Sequence, residues 1–169
     1  MMMPARKVPT FRVRMRKSQH VFSAGHFITL SDNLCEPVHG HNWTVACEIE
    51  GPLDSHGMVI DFILLKDTLT GVLSKLDHKM LLPTQSRLLR VVAENTEITV
   101  LFEARRWIFP ADECVLLPIS NTTAELLASW IGQTLGEHLA SAGVSLFGLL
   151  RIEVDECLGQ SAVCEFRNE

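Results

Sequence analysis

Alternating apolar and polar residues predict strands at both ends of the chain. The clearest case runs from His39 to Glu50, where Trp43, Val45 and Ile49 share one parity and the other parity is mainly polar. "GPLDSHG" then supplies the turn signals that end this strand. Four more segments show alternation or a continuous extended pattern: residues 11–17, 20–30, 150–155 and 162–166.

Two helices are predicted between these strands. Apolar residues recur at helical spacing over residues 61–76, with Asp61 as the N-cap. A second helix begins in "NTTAELLASWIGQTLGEHLA", where Thr122 and Glu125 fit a capping box. The helices therefore separate the N-terminal strands from the C-terminal ones.

Residues 83–118 have a less regular pattern. "ITVLFEARRWIF" and "ECVLLP" are predicted to form a hairpin that turns near "PADE". The segment is too apolar for a solvated loop, so we expect it to pack on the subunit's own helices or on a neighbouring copy. The element order predicts an α+β fold with antiparallel pairing. No repeat or linker divides the chain, which predicts a single domain over residues 1–169.

Composition restricts the possible functions. Apolar residues make up 47% and charged residues 21% of the 169 positions, as in ordinary globular domains. The formal net charge of -5 argues against a nucleic-acid partner. A local basic row is either the solvated face of a strand or an attraction for a phosphorylated substrate, and it consists of Arg12, Arg14, Arg16 and Lys17.

Compartment signals are few. No apolar run approaches the length of a membrane span, and the opening "MMMPARKVPT" lacks the apolar core of a signal peptide. Five cysteines at irregular spacing are typical of reduced thiols. We therefore expect a cytoplasmic protein with no membrane partner.

The stretch "CEPVHGHNW", residues 35–43, carries the first candidate for chemistry. His39 and His41 are two residues apart on a predicted strand, so their side chains point to one side about 6.5–7 Å apart. They extend the apolar parity, and buried imidazoles need partners. Hydrogen bonds to carbonyls would satisfy them, and so would a metal with a third ligand. His26 is the candidate third ligand, and His20 competes from farther back along the same strand. Three histidines with an open fourth position are typical of catalytic zinc.

Other candidate groups accompany the histidines. Cys35 is either a small buried side chain or a thiol whose pKa a neighbouring dication lowers. In "LDH", Asp77 could orient His78 and His78 could tune a thiol, although such a dipeptide is often only structural. Glu156 ends the buried parity of its strand, so its carboxylate needs a cation or N–H donors. A salt bridge within the protein would also satisfy it.

These motifs together resemble a known family. "FSAGH", "CEPVHGHNW", "GMVIDF", "LDH", "NTTAELLA" and "VDEC" occur in the order found in the 6-pyruvoyl-tetrahydropterin synthase and 6-carboxy-tetrahydropterin synthase family. The resemblance covers residues 11–82 and 119–166, which leaves about 83–118 as an insertion. It implies a tunnelling fold, in which each subunit has a four-stranded antiparallel sheet and two helices. Three subunits close a barrel and two trimers stack into a hexamer, so no sheet edge stays open.

The resemblance also implies roles for individual residues. The implied zinc ligands are His26, His39 and His41. The implied catalytic residues are Cys35 and the supporting pair Asp77 and His78. The implied substrate-binding residues are Glu156, Thr123 and Glu125. Of these, Glu156 would anchor the pterin ring by accepting two N–H groups.

Three residues separate Cys35 from His39, a spacing that resembles the carboxy-forming branch of the family, which serves queuosine and other deazapurine pathways. The expected reaction converts 7,8-dihydroneopterin triphosphate to 6-carboxy-5,6,7,8-tetrahydropterin with loss of triphosphate and acetaldehyde. The alternatives are the pyruvoyl-forming reaction, another pterin side-chain cleavage, or a non-catalytic zinc and pterin binder.

Overall fold

The computed structural model describes residues 9–144 and 148–167. The strands are β1 (Phe11–His26), β2 (Thr29–Ser31), β3 (Leu34–Cys35), β4 (His39–Gly51), β5 (Lys79–Pro83), β6 (Arg90–Ala93), β7 (Glu97–Phe102), β8 (Arg105–Pro110), β9 (Cys114–Leu117), β10 (Leu149–Cys157) and β11 (Gln160–Arg167). The helices are α1 (Phe62–Leu73) and α2 (Ala124–Ser141), and a 3₁₀ turn spans Ala111–Glu113. No helix within the described ranges is long and apolar enough to cross a membrane.

The main sheet has six strands in the order β11-β10-β4-β1-β5-β9. Its first four strands pair antiparallel, as the alternation predicted. β5 and β9 then extend it in parallel, with Ala24 of β1 opposite Lys79 of β5 and Leu81 opposite Val115 of β9. The expected sheet of four antiparallel strands was too small. Parallel partners lie far apart in sequence and have no hairpin turn that would reveal their pairing.

Both helices begin at polar caps. Asp61 caps α1 as predicted, and its carboxylate accepts two main-chain N–H groups of the first turn. The predicted capping box of α2 was wrong by one residue, because the N-cap is Thr123, whose hydroxyl accepts from the Leu126 N–H at 3.4 Å. Thr122 is fully buried, and its hydroxyl donates to the carbonyl of Phe27 instead. A tertiary contact thus decides where the helix begins.

The two faces of the main sheet differ in polarity. α1 and α2 pack on one face and share with it the main core, which includes Phe22, Trp43, Leu69, Leu127 and Ile152. On the other face, three arginines of the basic row make ion pairs with N–O distances of 2.5–2.6 Å, and these pairs are Arg12–Glu50, Arg14–Glu48 and Arg16–Asp155. Those arginines therefore join neighbouring strands of the sheet. This favours the interpretation of the basic row as the solvated face of a strand.

The insertion differs most from prediction. The hairpin joins β7 to β8, and β6 completes a three-stranded sheet. "ECVLLP" does not pair with it: β9 joins the main sheet, and "PADE" forms the 3₁₀ turn before it. The predicted hairpin was wrong because the real turn, at Glu103 and Ala104, has neither glycine nor asparagine, although Glu103 has a φ of 49°.

A second, smaller core covers the apolar side chains of the insertion. Its buried members come from the insertion, from β5 and from the residues around Cys35, and they are Phe27, Cys35, Met80, Leu82, Leu89, Ile98, Val100 and Phe102. The hairpin of the insertion therefore packs against the segment that carries the candidate catalytic cysteine. Leu117 of β9 belongs instead to the main core with the two helices, as expected for one part of the insertion. Packing against a neighbouring copy stays a prediction.

Candidate metal centre and active site

Strands β1 and β4 bring three histidines together. In the antiparallel register His26 lies directly opposite His39, and His41 lies opposite Ala24. The ring centroids are 4.6, 4.8 and 5.2 Å apart. With the carboxylate of Glu156 on β10, the possible ligand atoms all lie within 4.8 Å of one another. The four side chains form a cluster that could hold a metal ion.

Two of these rings turn lone pairs towards each other. His26 Nδ1 lies 2.9 Å from the carbonyl oxygen of Thr122, and His39 Nδ1 lies 2.9 Å from that of Pro37. Because a carbonyl only accepts, each Nδ1 carries the hydrogen and each Nε2 of a neutral ring carries a lone pair. The two Nε2 atoms are 3.2 Å apart. Two nitrogens on one tetrahedral zinc would be about 3.3 Å apart, so the pair fits a shared cation better than a mutual hydrogen bond.

The protonation of the cluster also suits a metal. Burial, and to a smaller extent His39 and His41, lowers the pKa of His26 to about 4 against the opposing effect of the Thr122 carbonyl. His26 is therefore neutral at pH 7, which is the form that binds metals. His41 Nε2 lies 3.0 Å from Glu156 Oε1 without the orientation of a hydrogen bond, and no residue of the described ranges supplies another partner. The donor set fits a dication held by neutral imidazoles.

His20, the competing third ligand, does not belong to this cluster. It is fully buried on β1, and neither ring nitrogen has a hydrogen-bond partner among the described residues. Burial lowers the pKa of His20, and the nearby charge of Lys17 adds to the effect. His20 is therefore a neutral histidine of the protein interior.

Cys35 lies apart from the histidines, at the end of β3. Its side chain is 3% exposed, and its Sγ contacts the carbonyl of Glu36 at 3.5 Å. Burial raises the pKa of the thiol, while the charge of Arg105 lowers it and that of Glu36 raises it. The chain by itself thus keeps the thiol protonated at neutral pH.

Asp77 and His78 form a pair just after α1. Asp77 Oδ1 accepts the main-chain N–H of Ser23 at 2.8 Å, and Oδ2 lies 3.0 Å from His78 Nδ1. The Ser23 hydrogen bond, followed by the His78 contact, lowers the pKa of Asp77. The His78 side chain is 82% exposed. Among the described residues, no hydrogen bond or ion pair joins this pair to Cys35 or to the histidine cluster.

A cavity of about 540 Å³ opens beside this pair. The main sheet and the insertion both line it, with side chains that include His41, His78, Lys79, Phe109 and Glu113. The insertion therefore borders the pocket, and none of the clustered ligand atoms comes from it.

The opening of α2, which carries the predicted substrate-binding residues Thr123 and Glu125, meets His26 through the main chain of Thr122. Thr122, whose carbonyl accepts from His26, directly precedes Thr123. The hydroxyl of Thr123 is engaged as the helix cap, and Glu125 is exposed. Neither of them is among the described residues that line the cavity. Their contact with a substrate stays a prediction.

Sequence reasoning did not single out two residues near Cys35. Glu36 Oε2 lies 4.0 Å from His39 Nε2, which places a carboxylate beside the metal cluster. Arg105, which is 70 positions from Cys35, donates to its carbonyl. The position of Glu36 inside the histidine motif was a usable signal, whereas no sequence signal linked the insertion to the cysteine.

Comparison with known proteins decides the family. A sequence model of 6-pyruvoyl tetrahydropterin synthase matches residues 15–169. The chain belongs to this family. It is similar to a putative 6-carboxy-5,6,7,8-tetrahydropterin synthase of Pyrococcus horikoshii, with 32% identity over 122 residues that cover 71% of this chain and 72% of the relative. The predicted family of tetrahydropterin synthases is thereby confirmed.

Two further similarities bear on chemistry. The chain matches the crystal structure of 6-pyruvoyl tetrahydropterin synthase from Plasmodium vivax with a TM-score of 0.88 and 26% identity, covering 95% of this chain and 100% of the other. In two variant structures of that enzyme, a glutamate described as a catalytic residue is replaced by alanine or by cysteine. A shorter match, 35% identical over 60 residues, covers 36% of this chain and 50% of dihydroneopterin monophosphate aldolase from Pyrococcus furiosus.

Proposed function

We propose that this chain is a zinc-dependent carbon–oxygen lyase that converts 7,8-dihydroneopterin triphosphate to 6-carboxy-5,6,7,8-tetrahydropterin, with loss of triphosphate and acetaldehyde. The facing Nε2 atoms of His26 and His39, 3.2 Å apart, carry the proposal. His41 would complete a set of three nitrogens, which is typical of a catalytic zinc with an open position. The name of the Pyrococcus horikoshii relative supports the carboxy-forming product.

Zinc held by these histidines would polarise the side-chain oxygens of the pterin and acidify the adjacent C–H group. The chain's own residues would move the proton. We assign this transfer to Cys35. The Asp77 contact fixes the hydrogen of His78 on Nδ1, which leaves its exposed Nε2 free to accept a proton. His78 would then hold the proton that Cys35 exchanges.

Glu36 is a second candidate for proton transfer. Its carboxylate lies 4.0 Å from His39 Nε2 and follows Cys35 directly in sequence. The glutamate described as catalytic in the Plasmodium vivax enzyme supports a carboxylate in such a role. We therefore propose that Glu36 and Cys35 share the acid–base work.

Two roles compete for Glu156, which lies within reach of the histidine cluster. Its Oε1 lies 3.0 Å from His41 Nε2, within reach of the metal cluster. We propose that it anchors the pterin by accepting two N–H groups, because a partly exposed carboxylate at the rim of the cluster can face a ligand. The competing role, that of a fourth metal ligand, is separated from this one by measuring zinc and pterin binding in the same variant.

A homo-oligomer would supply what one chain lacks. Among the described strands, β11 pairs only with β10, and β5 pairs with β1 only at Ala24 and Gly25, so β11 and the first half of β1 have free edges. Free edges favour pairing with another chain. We propose a trimer or a hexamer in which a neighbouring copy presents its Asp77–His78 pair to Cys35.

This shared site can be tested by mixing variants. Cys35→Ala and His78→Ala subunits are inactive alone in this proposal. After joint refolding they regain activity if the two groups come from different copies, because some sites then contain both intact residues. Failure to regain activity, in oligomers shown by mass to be mixed, would place both groups in one subunit.

The proposed partners follow from charge and redox state. A net charge of -5 supports a small-molecule substrate over nucleic acid. All five cysteines are free, which supports the proposed cytoplasmic location.

Product analysis decides between the candidate reactions. The Plasmodium vivax and Pyrococcus furiosus relatives favour, as alternatives, the pyruvoyl-forming reaction and a side-chain cleavage of the aldolase type. Incubation of the zinc-loaded protein with dihydroneopterin triphosphate, followed by chromatography and mass spectrometry, should give 6-carboxy-tetrahydropterin, triphosphate and acetaldehyde. A pyruvoyl product would select the first alternative, and release of a two-carbon aldehyde that still carries the triphosphate would select the second. Bound but unchanged substrate would indicate a non-catalytic binder.

A further inference from the structure

Arg105 connects the insertion to the candidate catalytic cysteine. It opens β8, and its Nη2 donates to the main-chain carbonyl of Cys35 at 3.0 Å. The guanidinium carbon lies 5.0 Å from the ring centroid of Phe102 and 5.3 Å from that of Trp107. Both distances are within the range of a cation–π contact. The two rings therefore hold the guanidinium in place while it holds the cysteine segment.

The side chain of Cys35 is fixed by the same insertion. Its thiol is buried in the second core, and Ile98, Val100 and Phe102 of β7 belong to the same cluster of buried side chains. Because protein interiors are closely packed, a shift of β7 would move the thiol as well. Both the main chain and the side chain of Cys35 are thus positioned by residues far from it in sequence.

A second contact runs from the hairpin towards the histidines. The Trp107 ring stacks on Phe27 with centroids 4.8 Å apart and an interplanar angle of 24°. Phe27 directly follows His26 in the chain. Trp107 therefore braces the strand end that carries a candidate metal ligand, while it also supports Arg105.

We infer that Arg105 is a positioning residue of the active site, which fixes the Cys35–Glu36 segment at a set distance from the histidine cluster. The inference rests on the proposed function for its effect on turnover, but the hold of Arg105 on the segment exists without it. A guanidinium suits this task because it is planar, stacks on aromatic rings and carries several hydrogen-bond donors. Lysine keeps the charge but has no planar group that could stack on the rings while it donates a hydrogen bond to the Cys35 carbonyl.

The charge of Arg105 gives the inference a readout that is independent of turnover. The charged groups that act on the thiol are Arg105, which lowers its pKa, and Glu36, which raises it, in addition to the larger effect of burial. Removal of the guanidinium should therefore raise the pKa of Cys35 further. Loss of a neutral side chain that only packs at this position would not cause that shift.

The test compares Arg105→Ala, Arg105→Lys and the control Arg106→Ala, which replaces an exposed arginine of the same strand. Alkylation of Cys35 by iodoacetamide is followed across pH by mass spectrometry of its peptide. In Arg105→Ala we expect the pH at which the alkylation rate of Cys35 is half-maximal, the alkylation midpoint, to rise by about half a pH unit or more. We also expect kcat to fall about 10- to 100-fold with zinc content and KM nearly unchanged. Arg105→Lys should keep the midpoint near that of the wild type but recover kcat only in part, and Arg106→Ala should match the wild type.

The inference is overturned if Arg105→Ala keeps the wild-type midpoint and kcat. Circular dichroism monitors the fold, and if it shows that the alanine variant has unfolded, Arg105→Lys decides. A folded lysine variant with wild-type kcat would show that the guanidinium is not needed. Absence of turnover in the wild type would contradict the proposed function. The alkylation midpoints would still test whether Arg105 acts on the Cys35 thiol.

Discussion

The Nε2 atoms of His26 and His39 face each other at 3.2 Å across β1 and β4, and the hydrogen bonds of both rings leave these atoms without a hydrogen. We therefore predict about one zinc per subunit, as expected for a three-histidine site. His39→Ala and His41→Ala should each lose nearly all of it in metal analysis. His56→Ala, which alters an exposed turn, is the control and should retain zinc. Full zinc content in either of these two variants would contradict the proposed three-histidine site.

Cys35→Ala should retain zinc and fold but lose about 10²- to 10⁴-fold in turnover, the range for removal of an acid–base group. The thiol lies outside the ligand cluster, so metal binding should not depend on it. Circular dichroism, metal analysis and steady-state rates check the three parts separately. Cys164→Ala is the matched control, because that cysteine is a partly buried residue of β11. A wild-type rate in Cys35→Ala would contradict the acid–base assignment.

Glu156→Gln should weaken the binding of a pterin analogue at least about tenfold, because an amide offers one acceptor and one misplaced donor to the two N–H groups of the pterin edge. Calorimetry measures the affinity, and metal analysis of the same sample measures zinc. Retained zinc supports the anchor role, whereas lost zinc would make Glu156 a metal ligand. Glu153→Gln, on the same strand, should leave both quantities unchanged.

His20→Leu should make the free energy of unfolding less sensitive to acid. The folded state holds the pKa of His20 below its unfolded value of about 6.5. The unfolded chain therefore takes up the proton first as the pH falls, so wild-type stability decreases below about pH 6.5. Above that pH His20 is neutral in both states and adds no pH dependence. Urea unfolding of zinc-free samples from pH 8 to pH 5.5 should show a smaller decrease for His20→Leu, and equal decreases would be the contrary result.

Phe109→Ala should lower kcat/KM for the triphosphate substrate about tenfold without loss of zinc, since the ring forms part of the cavity wall on the insertion side. Ile108→Ala is the control, because Ile108 is the adjacent residue of β8, is 48% exposed and does not line the cavity. Steady-state kinetics of the two variants give the comparison. Unchanged kinetics in Phe109→Ala would show that the insertion does not restrict the pocket.

Local patterns predicted those parts of the fold that local forces decide. The alternation of β4 and the helix cap at Asp61 could be predicted from the sequence, because each depends on residues that are close together in the chain. The parallel pairing of Leu81 with Val115 was invisible, since it depends on two short strands that are far apart in the chain. The turn at Glu103 was missed because its residue type does not indicate a positive φ.

The candidate site divides in the same way. His39 and His41 could be placed on one side of a strand from their spacing, and the motif supplied His26. The environment of Cys35 could not be deduced, because the ring stack and hydrogen bond that surround it come from Arg105 and its neighbours in the insertion. Only tertiary structure reveals which side chain the inserted segment supports.

Glu48 joins three strands through its ion pairs. Its carboxylate contacts Arg14 on β1 at 2.6 Å and Arg151 on β10 at 3.2 Å, and the residue is 5% exposed. A slip of one position in β4 would turn this carboxylate into the apolar core, at a cost that the core cannot compensate. Between Arg16 and Val21 the pairing of β1 with β4 shifts register, and beyond that shift His26 lies opposite His39. The ion pairs of Glu48 thus stabilise one half of this pairing, and the metal centre lies in the other half, where the register shift has reset which residues of the two strands face each other.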